Sequence, residues 1–158
     1  MDVRIINPFL SAAINVLKTM AGIEPKPGKP FLKMNERASG DVSAIISLSG
    51  AAYGTMSLTF SESCIMAIVS NLLREKVTEI DDDVLDAVGE LTNMICGDAR
   101  GHLGEEGIRL EAGIPTIVSG KNHLVKHINN GPRLAIPFET PDGPFVVEVI
   151  LVKDRYKH

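Results

Sequence analysis

The chain has 158 residues, 44% hydrophobic and 23% charged, enough for one folded domain, spanning 1–158, that needs no disulfide or metal staple. Its net charge of −4, from 16 basic and 20 acidic side chains, argues against nucleic acid, whose affinity for proteins rests on Lys and Arg. No stretch of about 18 uncharged apolar residues is present, and Asn15 and Lys18 interrupt the only segment resembling a signal peptide, so a cytoplasmic protein without a membrane span is expected.

Asn7 can cap a helix over residues 8–21, with Pro8 at its first position and Gly22 as its stop. Phe9, Ala13, Val16, Leu17 and Met20 recur at helical spacing and should face the core. Glu24 to Pro30 contains three prolines and reads as an irregular connector. Strands are expected at Phe31–Arg37, Val42–Leu48 and Tyr53–Phe60, the last two joined by a hairpin turn over Ser49–Ala52. Ser61 can cap a helix running to about Glu75, with Cys64 at its third helical position. Asp81 to Asp83 open a longer helix, their charges suiting its dipole. Strands follow at Gly113–Val118, Arg133–Phe138 and Phe145–Val152, with a strong turn at Thr140–Gly143.

The order α-βββ-α then α-βββ is a loose duplication, in which Asn15 can be set on Asn93 and Gly54 on Gly143. It predicts an α+β fold of duplicated α-βββ units, with a mostly antiparallel sheet and its helices on one face. Open sheet edges lead us to expect a homodimer joined through strands. Cys64 and Cys96 form no CxxC and should be buried, reduced thiols.

The informative segment is Asp81 to Gly104, DDDVLDAVGELTNMICGDARGHLG. At about 100° per residue, Val84, Leu85, Val88, Leu91, Ile95, Cys96, Ala99 and Leu103 share a core face. Asp86, Glu90, Asn93 and Gly97 form an outward stripe spaced 4, 3 and 4 residues apart. Carboxylates on a solvent face usually serve solubility alone. Four glycines in one helix (Gly89, Gly97, Gly101 and Gly104) are less ordinary, since an interior Gly costs about 1 kcal/mol relative to Ala. Gly97, Gly101 and Gly104 lie on or beside the stripe, where they either leave a flat surface for another protein or break the helix.

Asp86-x3-Glu90-x2-Asn93 resembles the D/S-x3-E-x2-N motif of the CheC/CheX/FliY chemotaxis phosphatases, and Pro115 follows Asn93 near the family's spacing, with 21 residues between them. The resemblance extends to the duplicated α-βββ order and so covers nearly the whole chain. It implies a phosphatase acting on the phospho-aspartate of a CheY-like response regulator in chemotaxis or related two-component signalling. Glu90 would pair with the regulator's active-site lysine and Asn93 would position the attacking water. Asp86, Gly97 and Gly101 would contact the partner. Any Mg²⁺ would belong to the regulator, leaving this chain without a cofactor of its own. In the first half, Ala12 and Pro8 stand where Glu90 and Asp86 would match, so a single site of the CheX-like kind is expected. A non-catalytic adaptor or switch-complex module of the same fold is the alternative.

Other candidates are weaker. His123 and His127 have helical ligand spacing but sit in a Gly- and Asn-rich loop without a third ligand, and no metal site is expected. His102 falls toward the core side of the long helix. No GKS or GKT phosphate loop is present, and no Ser or Cys has a paired base in sequence.

Overall fold

A computed structural model describes residues 3–34, 40–120, 123 and 133–153. Among these residues three helices, α1 (Val3–Ala21), α2 (Glu62–Leu73) and α3 (Asp82–Glu105), cover eight strands. The strands are β1 (Lys26–Pro27), β2 (Phe31–Lys33), β3 (Val42–Gly50), β4 (Ala52–Phe60), β5 (Leu110–Ala112), β6 (Thr116–Ser119), β7 (Arg133–Thr140) and β8 (Gly143–Lys153). All pair antiparallel in one sheet, in the order β1-β7-β8-β4-β3-β5, with β2 also on β7 and β6 also on β3. The expected fold class is the observed one.

One core joins the helices to one face of the sheet. Met56, Leu58 and Phe60 of β4, Val147 and Val149 of β8 and Ile136 of β7 meet Phe9, Leu17, Ile65, Ile68, Leu91 and Ile95 from the helices. Phe138 stacks on Phe145 at 4.7 Å between centroids, and Phe60 follows at 5.4 Å. The opposite face is buried too, but polar: Ser43, Thr55, Ser57, Thr59 and Glu148 are each at most 2% exposed. There the Lys33 ammonium lies 3.3 Å from a Glu148 carboxylate oxygen. Ser43 shares a 2.6 Å hydrogen bond with Thr59 and another with His123, whose Nδ1 meets the Gly120 carbonyl. His127 lies outside the described residues.

Local chemistry explains the helix starts. The Ser61 hydroxyl accepts from the Cys64 amide at 3.2 Å, and Asp81 accepts from the Val84 amide at 3.0 Å, as the capping pattern requires. Helix α1 differs from expectation: it begins at Val3, and Pro8 lies inside it. Proline is tolerated because it removes only the bond to Arg4, one turn from the helix start, while Ile6, Pro8 and Phe9 all bury.

Three strand boundaries are corrected as well. The proline-rich connector contains β1, whose Lys26 and Pro27 pair with Glu139 and Phe138. The strand expected at Phe31–Arg37 is β2, Phe31–Lys33, and residues 35–37 lie outside the described set. The strand expected at Gly113–Val118 is β6, Thr116–Ser119, and it is preceded by β5, Leu110–Ala112, which was not expected. Leu48 faces Ala112 and Ile45 faces Thr116, so Gly113, Ile114 and Pro115 stand opposite only Ile46 and Ser47. This is a one-residue β-bulge.

The same bulge occurs in the other half. Pro27 faces Phe138 and Phe31 faces Ala135, leaving Gly28, Lys29 and Pro30 opposite Ile136 and Pro137. Gly28 donates to the Pro137 carbonyl at 2.8 Å, as Gly113 donates to the Ser47 carbonyl at 3.0 Å. Each triplet is Gly-x-Pro, and each glycine is crowded: a Cβ would come 3.1 Å from Pro137 Cγ in one and 2.5 Å from Ser47 Oγ in the other. The duplication is therefore real, with each half's split strand added to the other half's hairpin.

Its offset is 85 residues, shared by the two triplets (113 − 28) and by the left-handed glycines after α1 and α3, Gly22 at φ 63° and Gly107 at φ 84° (107 − 22). At that offset Pro8, not Asn15, falls opposite Asn93, and Ile5 falls opposite Glu90. The first half still lacks the acidic motif.

Candidate functional site

Helix α3 is continuous through all four glycines, so the alternative of a break at Gly97 or an end at Gly101 is set aside. It is held by burial of Val84, Val88, Leu91, Ile95, Cys96, Ala99 and Leu103 on one side. Opposite them, Asp86, Glu90 and Asn93 are all exposed, as the periodicity predicts. None of the three has a side-chain partner among the described residues. Gly97 is half-buried and Gly101 and Gly104 are exposed, and a Cβ on any of them would meet nothing within 4 Å. Packing therefore does not require these glycines. Gly89 differs, because its Cβ position would touch the Ile117 side chain at 3.8 Å.

The β5–β6 strand pair runs beside α3. Ile117 lies at the level of Gly89, and the Arg100 guanidinium donates to the Leu110 carbonyl at 3.3 Å. Gly89, Asn93 and Arg100 are spaced 4 and 7 residues apart and form one axial row, so Asn93 lies between these two contacts. The Gly113–Pro115 bulge lies in the strand segment between Leu110 and Ile117, the two residues that meet α3. Sequence reading missed Ile114, which projects from this bulge at 91% exposure. The repeated Gly-x-Pro triplet was the available signal.

The stripe is a convex rod, not a pocket. A cleft of about 350 Å³ lies elsewhere, lined by Arg4, Asn7, Pro8 and Ser11 of α1 and by His102, Glu105 and Glu106 at the end of α3. His102 is half-buried, with Nε2 3.6 Å from Asp98 and Nδ1 4.0 Å from Glu105. Both thiols are buried. Burial pushes Cys64 up to about 11 and raises Cys96 as well, so neither is poised as a nucleophile at neutral pH. Among the described residues no group of three His, Cys, Asp or Glu is arranged to hold a metal ion.

An exposed carboxylate and carboxamide one turn apart on a rigid helix can anchor a cation and orient a water, and among the described residues no cleft is seen lined by them. Fold and site together define a protein of the α+β class whose candidate residues stand on an exposed helix surface, open to another macromolecule. The chain belongs to the CheX family: the model described as "Chemotaxis phosphatase CheX" matches residues 42–139, from β3 through α3 into β7. It is 29% identical over 127 residues to the CheY-P phosphatase CheX of Thermotoga maritima, covering 80% of this chain and 82% of that one. The crystal structure of chemotaxis protein CheX from a Desulfovibrio desulfuricans subspecies matches with 44% identity and a TM-score of 0.87, over 93% of this chain and 98% of that one. The CheX of a CheX–CheY–BeF3–Mg²⁺ complex from Borrelia burgdorferi matches with 29% identity and a TM-score of 0.79, over 94% and 97% of the two chains.

Proposed function

We propose that this chain dephosphorylates the phospho-aspartate of a CheY-like receiver, using α3 as an insert into the receiver's phosphorylated pocket. The observation that carries the reading is the pairing of Glu90 and Asn93 on an exposed, partnerless stripe of a helix in a chemotaxis phosphatase chain. Hydrolysis of an acyl phosphate needs a water held in line with phosphorus and charge neutralisation around it. The Asn93 amide can accept a hydrogen bond from the attacking water at its carbonyl oxygen and donate one to phosphoryl oxygen from its nitrogen, and it is uncharged at any physiological pH. Glu90, one turn earlier, can pair with a lysine at the receiver's pocket and fix the register of the helix. Asp86 extends the same stripe toward the partner. Gly97 and Gly101 let partner backbone approach where any side chain would hold it away.

The receiver supplies the acyl phosphate and the Mg²⁺ that neutralises phosphoryl charge, in keeping with the BeF3 and Mg²⁺ of the Borrelia burgdorferi CheX–CheY complex. This chain contributes positioning. It works in the cytoplasm as one domain, and strand pairing at the sheet edges would join two copies. Among the described residues no helix is long and apolar enough to cross a membrane.

The test is decay of a phosphorylated CheY-like receiver with and without the purified chain, alongside Glu90→Ala. Faster decay with the native chain, and weaker binding together with slower decay for the variant, is the expected result. Equal decay rates with and without the native chain would refute the reading.

A further inference from the structure

We propose that Ile114 is an apolar anchor of the partner interface, entering a hydrophobic depression on the receiver beside its phosphorylated pocket while α3 enters the pocket itself. The inference rests on the function proposed above and adds the residue that gives the docking much of its affinity. Single exposed apolar side chains are common on soluble proteins, so exposure alone decides nothing. Position, rigidity and contrast with the other half decide it.

Asn93 lies four residues from Gly89 along the row that follows β5–β6, about 6 Å of helix. Ile114 lies three residues from Ile117, which touches the Gly89 position, about 10 Å of strand at most. The two therefore stand at nearly the same level, Ile114 on the strand side of the stripe and Asn93 on its flank. A partner seated on Asn93 must cover Ile114.

The side chain is also held for that role. Gly113 hydrogen-bonds to the Ser47 carbonyl on one side of it, and Pro115 on the other restricts Ile114 to extended backbone. A β-branched residue has few rotamers to lose on burial. At 91% exposure Ile114 is the most exposed of the large hydrophobic residues described, the others ranging from 41% to 72%.

The internal repeat supplies the control. In the half without the acidic motif the same Gly-x-Pro bulge carries Lys29, also exposed. The bulge thus accepts a charged side chain at this position, and the apolar residue occurs only beside Glu90 and Asn93. Folding does not call for it there.

Steady-state dephosphorylation of a CheY-like receiver, kept phosphorylated by acetyl phosphate, tests the proposal with Ile114→Ser, Ile114→Lys and Ile114→Val. The expected result for Ile114→Ser is a rise in KM of about tenfold, equivalent to ~1.4 kcal/mol, with kcat within about twofold of native. Ile114→Lys should bind still more weakly, Ile114→Val should restore most of the affinity, and the thermal midpoint should not move. Unchanged KM in the Ser and Lys variants, with the native chain active, would overturn the anchor and leave the proposed function standing. A native chain that accelerates no receiver would overturn both.

Discussion

Filling the bare surface of α3 should separate stability from activity. Gly97 and Gly101 sit inside a 24-residue helix, and a methyl group on either would meet no atom within 4 Å. Neither has a positive φ. Replacing each by alanine should therefore recover the ordinary helix-propensity difference of about 1 kcal/mol, a propensity gain of about 2 kcal/mol for the pair. For a domain of this size that raises the thermal midpoint by about 6 °C. Gly97→Leu should also stabilise, because leucine is nearly as good a helix former. It would, however, plant a bulky side chain one turn beyond Asn93, and dephosphorylation should fall at least about tenfold through weaker docking. Thermal unfolding followed by circular dichroism, paired with phospho-receiver decay, reads both effects. A double-alanine variant no more stable than the native chain would show that packing does require these glycines. A fully active Gly97→Leu variant would show that no partner approaches them.

Two further outcomes test the frame around the site. Gly54→Ala should be among the most damaging single substitutions, costing more than about 4 kcal/mol, because its Cβ would overlap the Ile150 carbonyl across the central β4–β8 pair; urea denaturation, or loss of soluble protein, measures it. Cys64 should resist thiol reagents in the native state below about pH 9 and react promptly when unfolded, because burial raises its pKa from 9.0 to about 11. The linked sign follows: above pH 9 the unfolded chain gives up this proton first, so Cys64 favours unfolding progressively up to about pH 11.

The stripe on α3 was legible because helical periodicity is local. Once Asp81 caps the helix, side chains four residues apart must share a face, and no distant contact changes that. The caps at Ser61 and Asp81 were legible for the same reason. Pro8 misled because proline signals a first turn, while burial of Ile6 outweighs the one lost hydrogen bond. The split edge strands depend on register with β7 and β3, more than 60 residues away, which no local pattern carries. The strand at Tyr53–Phe60 was legible, but not that Thr55, Ser57 and Thr59 on one of its faces are buried. Ile114 escaped notice because its exposure comes from the bulge, which depends on register with β3. The repeat was seen, but matching asparagines gave it the wrong offset; the crowded glycines of the two Gly-x-Pro triplets set the right one.

The central claim is that Asn93 supplies water positioning and little of the docking energy. Phosphate release from a purified phospho-receiver, measured beside binding of the same receiver trapped with BeF3, tests it most directly in Asn93→Ala. We predict release at the receiver's own spontaneous rate, with affinity for the trapped receiver within about threefold of native. Accelerated release by that variant, or loss of binding in parallel with loss of rate, would contradict the account.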